Sequence, residues 1–152
     1  MLTPEMKSLI SNHRAGMVAS INEDGTPAVS PKATFVILDD CTLAFGNIRS
    51  PGTVANVLAR PRVEICFIDV VLRKAVRVAG TASVHDKATA PDDLAQAFTA
   101  EWKDFLPQMS GFVRIDLERA ELILSPAYDG GATEDELRGV NMAKLEGLYG
   151  GA

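Results

Sequence analysis

Apolar and polar residues alternate along this chain with two different periods, and each change of period marks a new element. Near the start, Met6, Leu9, Ile10 and His13 recur at helical spacing behind Thr3-Pro4-Glu5. A hydroxyl, a proline and an acid in that order suit a helix cap, its first residue and the positive end of its dipole. A short helix to about His13 is predicted. Gly16 to Ile21 reads as a strand and Asp24-Gly25 as the hairpin turn after it. A second strand is predicted from Pro27 to Leu38. Val29, Ala33, Phe35 and Ile37 fall on one face, with Ser30, Lys32, Thr34 and Val36 on the other. Pro31 has no amide hydrogen, so this strand is an edge or carries a bulge. Asp39-Asp40 turns the chain into a third strand, Thr42 to Gly46.

Ser50-Pro51 opens a helix through Arg60. Strands are predicted at Val63 to Val70 and Leu72 to Val84; in the latter Val76, Val78, Gly80 and Ala82 alternate with Arg77, Thr81 and Ser83. A longer helix starts at Pro91-Asp92-Asp93 and carries Leu94, Phe98, Trp102, Phe105 and Leu106 on one stripe. The last strand, Phe112 to Leu124, is expected to bend near Glu118-Arg119. Thr133 to Glu136 reads as a capping box opening a weak closing helix, interrupted by Gly139 and Gly147. Six short strands with antiparallel signals predict a mainly β (α+β) fold, a small antiparallel barrel with peripheral helices. One domain is expected over residues 1–152, with 126–152 as a C-terminal loop and helix.

Composition narrows the function. At 152 residues and 47% hydrophobic, the chain can build a core without metals or disulfides. Its 15 basic and 20 acidic side chains give a net charge of −5, which argues against general nucleic-acid binding. No apolar run approaches membrane-spanning length and no signal peptide is evident. Cys41 and Cys66 stand far apart, as small hydrophobes of a reduced protein do, so a cytoplasmic location is expected. His13 and His85 have no metal-ligand cluster around them, and no serine–histidine or cysteine–histidine spacing marks a nucleophile. The dinucleotide and P-loop glycine signatures are both missing.

The most informative segment runs from Asn47 to Asn56, between a strand and a helix. The first amides of a helix lack internal partners and face its positive end, so an anion is welcome there. Arg49 adds a permanent cation, Thr53 a hydroxyl, and Gly52 room for close approach. An ordinary capped helix with a surface arginine is the competing reading. Lys32, between Ser30 and Thr34, suits a phosphate or the polar edge of a ring; equally, it suits a solvent-facing guard on an edge strand. Trp102 fits core packing, while Tyr128 can stack on a planar ligand or anchor the tail.

The order of these segments resembles the pyridoxamine-phosphate-oxidase-like family of FMN-binding split β-barrels. Three stretches carry the likeness: Thr53 to Asn56 with Ala59 to Val63, Arg77 to Ala82, and Ser125 to Tyr128. It covers about Met17 to Tyr128. The resemblance implies a six-stranded split barrel and a homodimer with FMN at the subunit interface. It places ring-side positions at Ser30, Pro31, Lys32 and Ala33, and phosphate-loop positions at Asn47, Arg49, Ser50 and Thr53. Asn56 matches the family's helix asparagine, and Arg77 is placed where it could reach the phosphate. Two departures stand out. Gly52 occupies a position that is basic in many members, and the chain lacks the basic C-terminal segment with which the true oxidase holds its substrate's phosphate. The implied activity is an oxidoreductase passing electrons from a reduced donor through FMN to oxygen or a small organic acceptor. A non-catalytic FMN-binding, storage or carrier protein is the alternative. A deazaflavin or haem relative is a further variant, and haem lacks an evident axial histidine.

Overall fold

The computed structural model describes residues 1–151. Helix α1 (Pro4–Asn12) starts as expected, with the Thr3 hydroxyl accepting the Met6 amide at 3.2 Å. The chain continues through β1 (Gly16–Ile21), β2 (Pro27–Lys32), β3 (Phe35–Asp39), β4 (Thr42–Asn47), α2 (Pro51–Ala59) and β5 (Arg62–Asp69). Then come β6 (Lys74–Asp86), α3 (Asp92–Glu101), β7 (Gly111–Leu124) and α4 (Glu134–Tyr149). All the strand pairs are antiparallel, in the order β2-β1-β5-β6-β7-β4-β3. Gly25 takes φ +83° in the β1–β2 turn, a conformation that costs glycine little.

Seven strands form where six are expected, because the stretch from Pro27 to Leu38 breaks at Ala33-Thr34. β2 pairs only with β1, whereas β3 pairs only with β4. The Thr34 hydroxyl accepts the Gly46 amide at 3.1 Å and is buried. Thr34 therefore turns to β4 and leaves the company of Ser30 and Lys32. β3 is buried on both faces: Phe35 joins the main core, and Val36 a second cluster beneath α3.

The main core gathers Val18, Leu43, Phe45, Ile65, Phe67, Val76, Val78 and Ile115, with Leu9 and Ile10 of α1 packed on it. In the second cluster Phe98 of α3 stacks on Phe112, ring centres 4.3 Å apart. Helix α3 stops at Glu101, short of Phe105 and Leu106. The indole of Trp102, at the helix end, packs on this cluster and donates to the Phe35 carbonyl at 3.0 Å. Strand β6 begins at Lys74, not Leu72, because the Asp69 carboxylate accepts the Val71 and Leu72 amides, each at 2.9 Å, and curls the chain. The register of β6 on β7 slips between Ala79 and Gly80, leaving Glu118 as the extra residue at the expected bend.

The Thr133–Glu136 capping box is present, and Gly139 and Gly147 do not interrupt α4. Tyr128 anchors the tail, its hydroxyl donating to the Leu72 carbonyl at 2.6 Å. Both cysteines are free thiols, but Cys41 is exposed in a turn and does not act as a buried hydrophobe. No helix among the described residues is long and apolar enough to cross a membrane.

Candidate functional site

The turn from β4 into α2 and the inward residues of β2 together line a cleft of about 200 Å³. Ser30, Lys32, Arg49, Ser50, Thr53 and Asn56 all line it, joined by Asn22, Ala28, Pro51 and Gly52. Burial alternates along β2, so Ala28, Ser30 and Lys32 face inward while Val29 and Pro31 face out. The Lys32 ammonium donates to the Ser30 hydroxyl at 2.8 Å. Burial alone pulls the Lys32 pKa below the ordinary lysine range. It forms no ion pair with a carboxylate among the described residues, and neither does Arg49. A half-desolvated cation without a counter-charge is stabilised by any anion that enters.

Ser50 stands at the cap of α2, yet its side chain makes no capping bond. The first bond of the helix runs from the Val54 amide to the Ser50 carbonyl at 2.9 Å. The Gly52 and Thr53 amides thus remain as free donors at the positive end of the helix. Thr53 is buried, and its hydroxyl has no side-chain hydrogen bond among the described residues. Two cations, three hydroxyls and two amides with no carboxylate between them suit a phosphate monoester.

Asn56 supports this wall. Its amide donates to the Ser20 hydroxyl at 3.1 Å and to the Asn22 side-chain oxygen at 3.0 Å, tying α2 to the β1–β2 hairpin. Asn56→Ala leaves the buried Ser20 and the half-buried Asn22 short of a partner. It is expected to lower stability by about 1–3 kcal/mol, as urea unfolding reads it. Asn22 is absent from the residues expected at the site, because an asparagine before Asp24-Gly25 reads as turn chemistry.

Four expected residues lie outside the cleft lining. Pro31 points out from β2, and Ala33 is exposed at the strand break. Asn47 ends β4, its carbonyl accepting the Ser110 amide at 2.9 Å. Arg77 lies on the outer face of the sheet, with its guanidinium on Glu121 at 2.6 Å and Glu64 at 3.3 Å. Neither histidine lines the cleft: His13 pairs with Asp69 at 3.2 Å, and His85 meets the Ser83 hydroxyl at 2.9 Å. No group of three His, Cys, Asp or Glu side chains among the described residues could hold a metal.

A seven-stranded antiparallel α+β sheet with this cleft at a strand-to-helix turn matches the split-barrel architecture. Residues 2–124 match the sequence model of the pyridoxamine 5'-phosphate oxidase family, and the chain belongs to that family. HupZ of Group A Streptococcus is 28% identical with a TM-score of 0.68, the match covering 82% of this chain and 96% of that one. A Lactobacillus delbrueckii protein described as a pyridoxamine 5'-phosphate oxidase is 25% identical with a TM-score of 0.65, over 79% and 93% of the two chains. An F420 reductase shares the fold at 19% identity and a TM-score of 0.59, the match covering 76% of this chain and 94% of that one. A comparison with curated protein sequences finds no match.

Proposed function

We propose that this protein binds FMN in the cleft between β2 and α2 and works as a flavin-dependent oxidoreductase. The observation that carries the reading is the pair of cations without carboxylate partners, Lys32 and Arg49, beside the free amides of α2. Arg49, Thr53 and the Gly52 and Thr53 amides would hold the phosphate. Ser30 and Lys32, further along β2, would meet the phosphate or the polar edge of the ring. Bound FMN supplies reversible hydride and electron transfer. The chain's part is to bind it, orient it and place a positive charge beside it. The cleft holds no carboxylate or histidine, in keeping with chemistry carried by a cofactor.

The reading includes a homodimer. About 200 Å³ is less than the roughly 300–1,000 Å³ of complete small-molecule sites, so a second chain is needed to finish this one. The outer face of β2 and β1 offers the surface: Val29 is 65% exposed, Met17 46% and Ile21 38%. Apolar residues so grouped on a strand face favour association. Pro31 and Arg77, outside the cleft of their own chain, lie on this outer side of the sheet.

Titration of cofactor-free protein with FMN and with riboflavin, followed by flavin fluorescence, tests the proposal. Riboflavin lacks the phosphate and should bind about a hundredfold more weakly or worse, the loss of two or more charge-assisted hydrogen bonds. Equal affinity for the two would remove the phosphate site. Loaded protein that neither NADPH nor NADH reduces would favour the non-catalytic carrier.

Gly52 offers a gain-of-function check. A side-chain carbon built there meets no atom within 4 Å, and the position lines the cleft. Gly52→Lys should restore the cation present in many relatives and tighten FMN binding about tenfold, measured by the same titration.

A further inference from the structure

Helix α4 and the loop before it lie beyond residue 124, where the match to the family model ends. Helix α4 has sixteen residues, of which only Asn141 is buried. Between α4 and the β5–β6 turn lies a groove of about 350 Å³, within the range of small-molecule sites. Ile68, Val70 and Leu145 are its apolar lining, and Arg73, Asn141 and Lys144 its polar one.

Three observations give the groove a ligand chemistry. Neither Arg73 nor Lys144 forms an ion pair with a carboxylate among the described residues, in a chain whose net charge is −5. Arg73 takes φ 55°, the one non-glycine residue among those described with a positive φ. An arginine there costs on the order of 1 kcal/mol that glycine would not. The turn is also held rigid: Asn141 donates to the Val71 carbonyl at 2.8 Å, and the Ser125 amide to the Arg73 carbonyl at 3.0 Å. Its guanidinium has only a 3.5 Å contact to the Asn141 side-chain oxygen, which leaves most of its donors free.

We propose that this groove binds a single-chain amphiphile with a carboxylate head, its hydrocarbon tail on Ile68, Val70 and Leu145 and its head between Arg73 and Lys144. The planar fork of arginine matches a carboxylate, and the two cations together select the sign of the head. The site is separate from the β2–α2 cleft and does not depend on the FMN reading.

Decanoate, kept below its micelle concentration, is the probe, titrated calorimetrically into the full-length protein. One saturable site per chain is expected, with decyltrimethylammonium, of the same tail and opposite charge, at least about tenfold weaker. Arg73→Gly relieves the backbone strain, so its unfolding temperature should hold or rise while decanoate binding falls about tenfold. Lys144→Gln, on an exposed helix position, should weaken binding without unfolding the chain. Equal binding of the two tails would overturn the proposal as simple apolar adhesion. So would retention of decanoate in the Arg73→Gly, Lys144→Gln double variant. If decanoate fails to bind and Leu145→Glu converts a dimer to monomers, a second copy of the chain covers the groove. Binding to anionic phospholipid vesicles without decanoate binding would assign the face to a membrane surface; either result overturns the amphiphile site.

Discussion

Gly80→Ala is expected to destabilise the protein by about 3 kcal/mol or more and to leave little folded material at moderate temperature. A side-chain carbon at Gly80 would overlap the carbonyl oxygen of Asp116 on the neighbouring strand, which is backbone and cannot rotate away. The position lies where β6 slips its register on β7, so the two backbones already approach closely. Thermal unfolding of the purified variant checks this. A midpoint within a few degrees of the parent would mean that β7 yields at the bulge. The result bears on function, because Gly80 sits in the Arg77 to Ala82 stretch that carries part of the family likeness. That stretch acts through the sheet: Val78 and Ala82 fill the core, Gly80 admits β7, and Arg77 joins the outer carboxylates.

The second large effect is on binding. The double variant Lys32→Met, Arg49→Ala should bind FMN on the order of a thousandfold more weakly than the parent, since each charge-assisted contact contributes about 1.5–3 kcal/mol. Its fold should be unchanged, because Arg49 is exposed and Lys32 is held by one hydrogen bond to Ser30. Circular dichroism on the same sample separates loss of binding from loss of structure. The single variants apportion the effect: a larger loss for Arg49→Ala places the phosphate at α2, a larger one for Lys32→Met along β2.

Local chemistry was readable where it governs the structure. Thr3-Pro4, Asp24-Gly25 and the Thr133–Glu136 box each name an element end, and each occurs where expected. The place of the cleft at the start of α2 was legible for the same reason, since Arg49, Ser50 and Pro51 stand together just before the helix. The break between β2 and β3 left no trace in the alternation. Even positions Ser30 and Lys32 face inward in β2, whereas Phe35 and Ile37 meet the main core in β3 and Val36 the second cluster, so the change lies in the strand partners and not in the sequence pattern. Arg77 was legible as a cation on a strand. Its partners Glu64 and Glu121 come from strands 13 and 44 positions away in the chain, pairings that a local pattern does not contain. Lys32 lacks any such partner, and that difference separates the two cations.

The most direct test is an absorption spectrum of the purified protein, followed by mass spectrometry of what heat releases from it. The account predicts a flavin band and FMN in the supernatant, or uptake of added FMN with its phosphate required. A colourless protein that takes up no FMN, or a flavin held equally well without its phosphate, would contradict it.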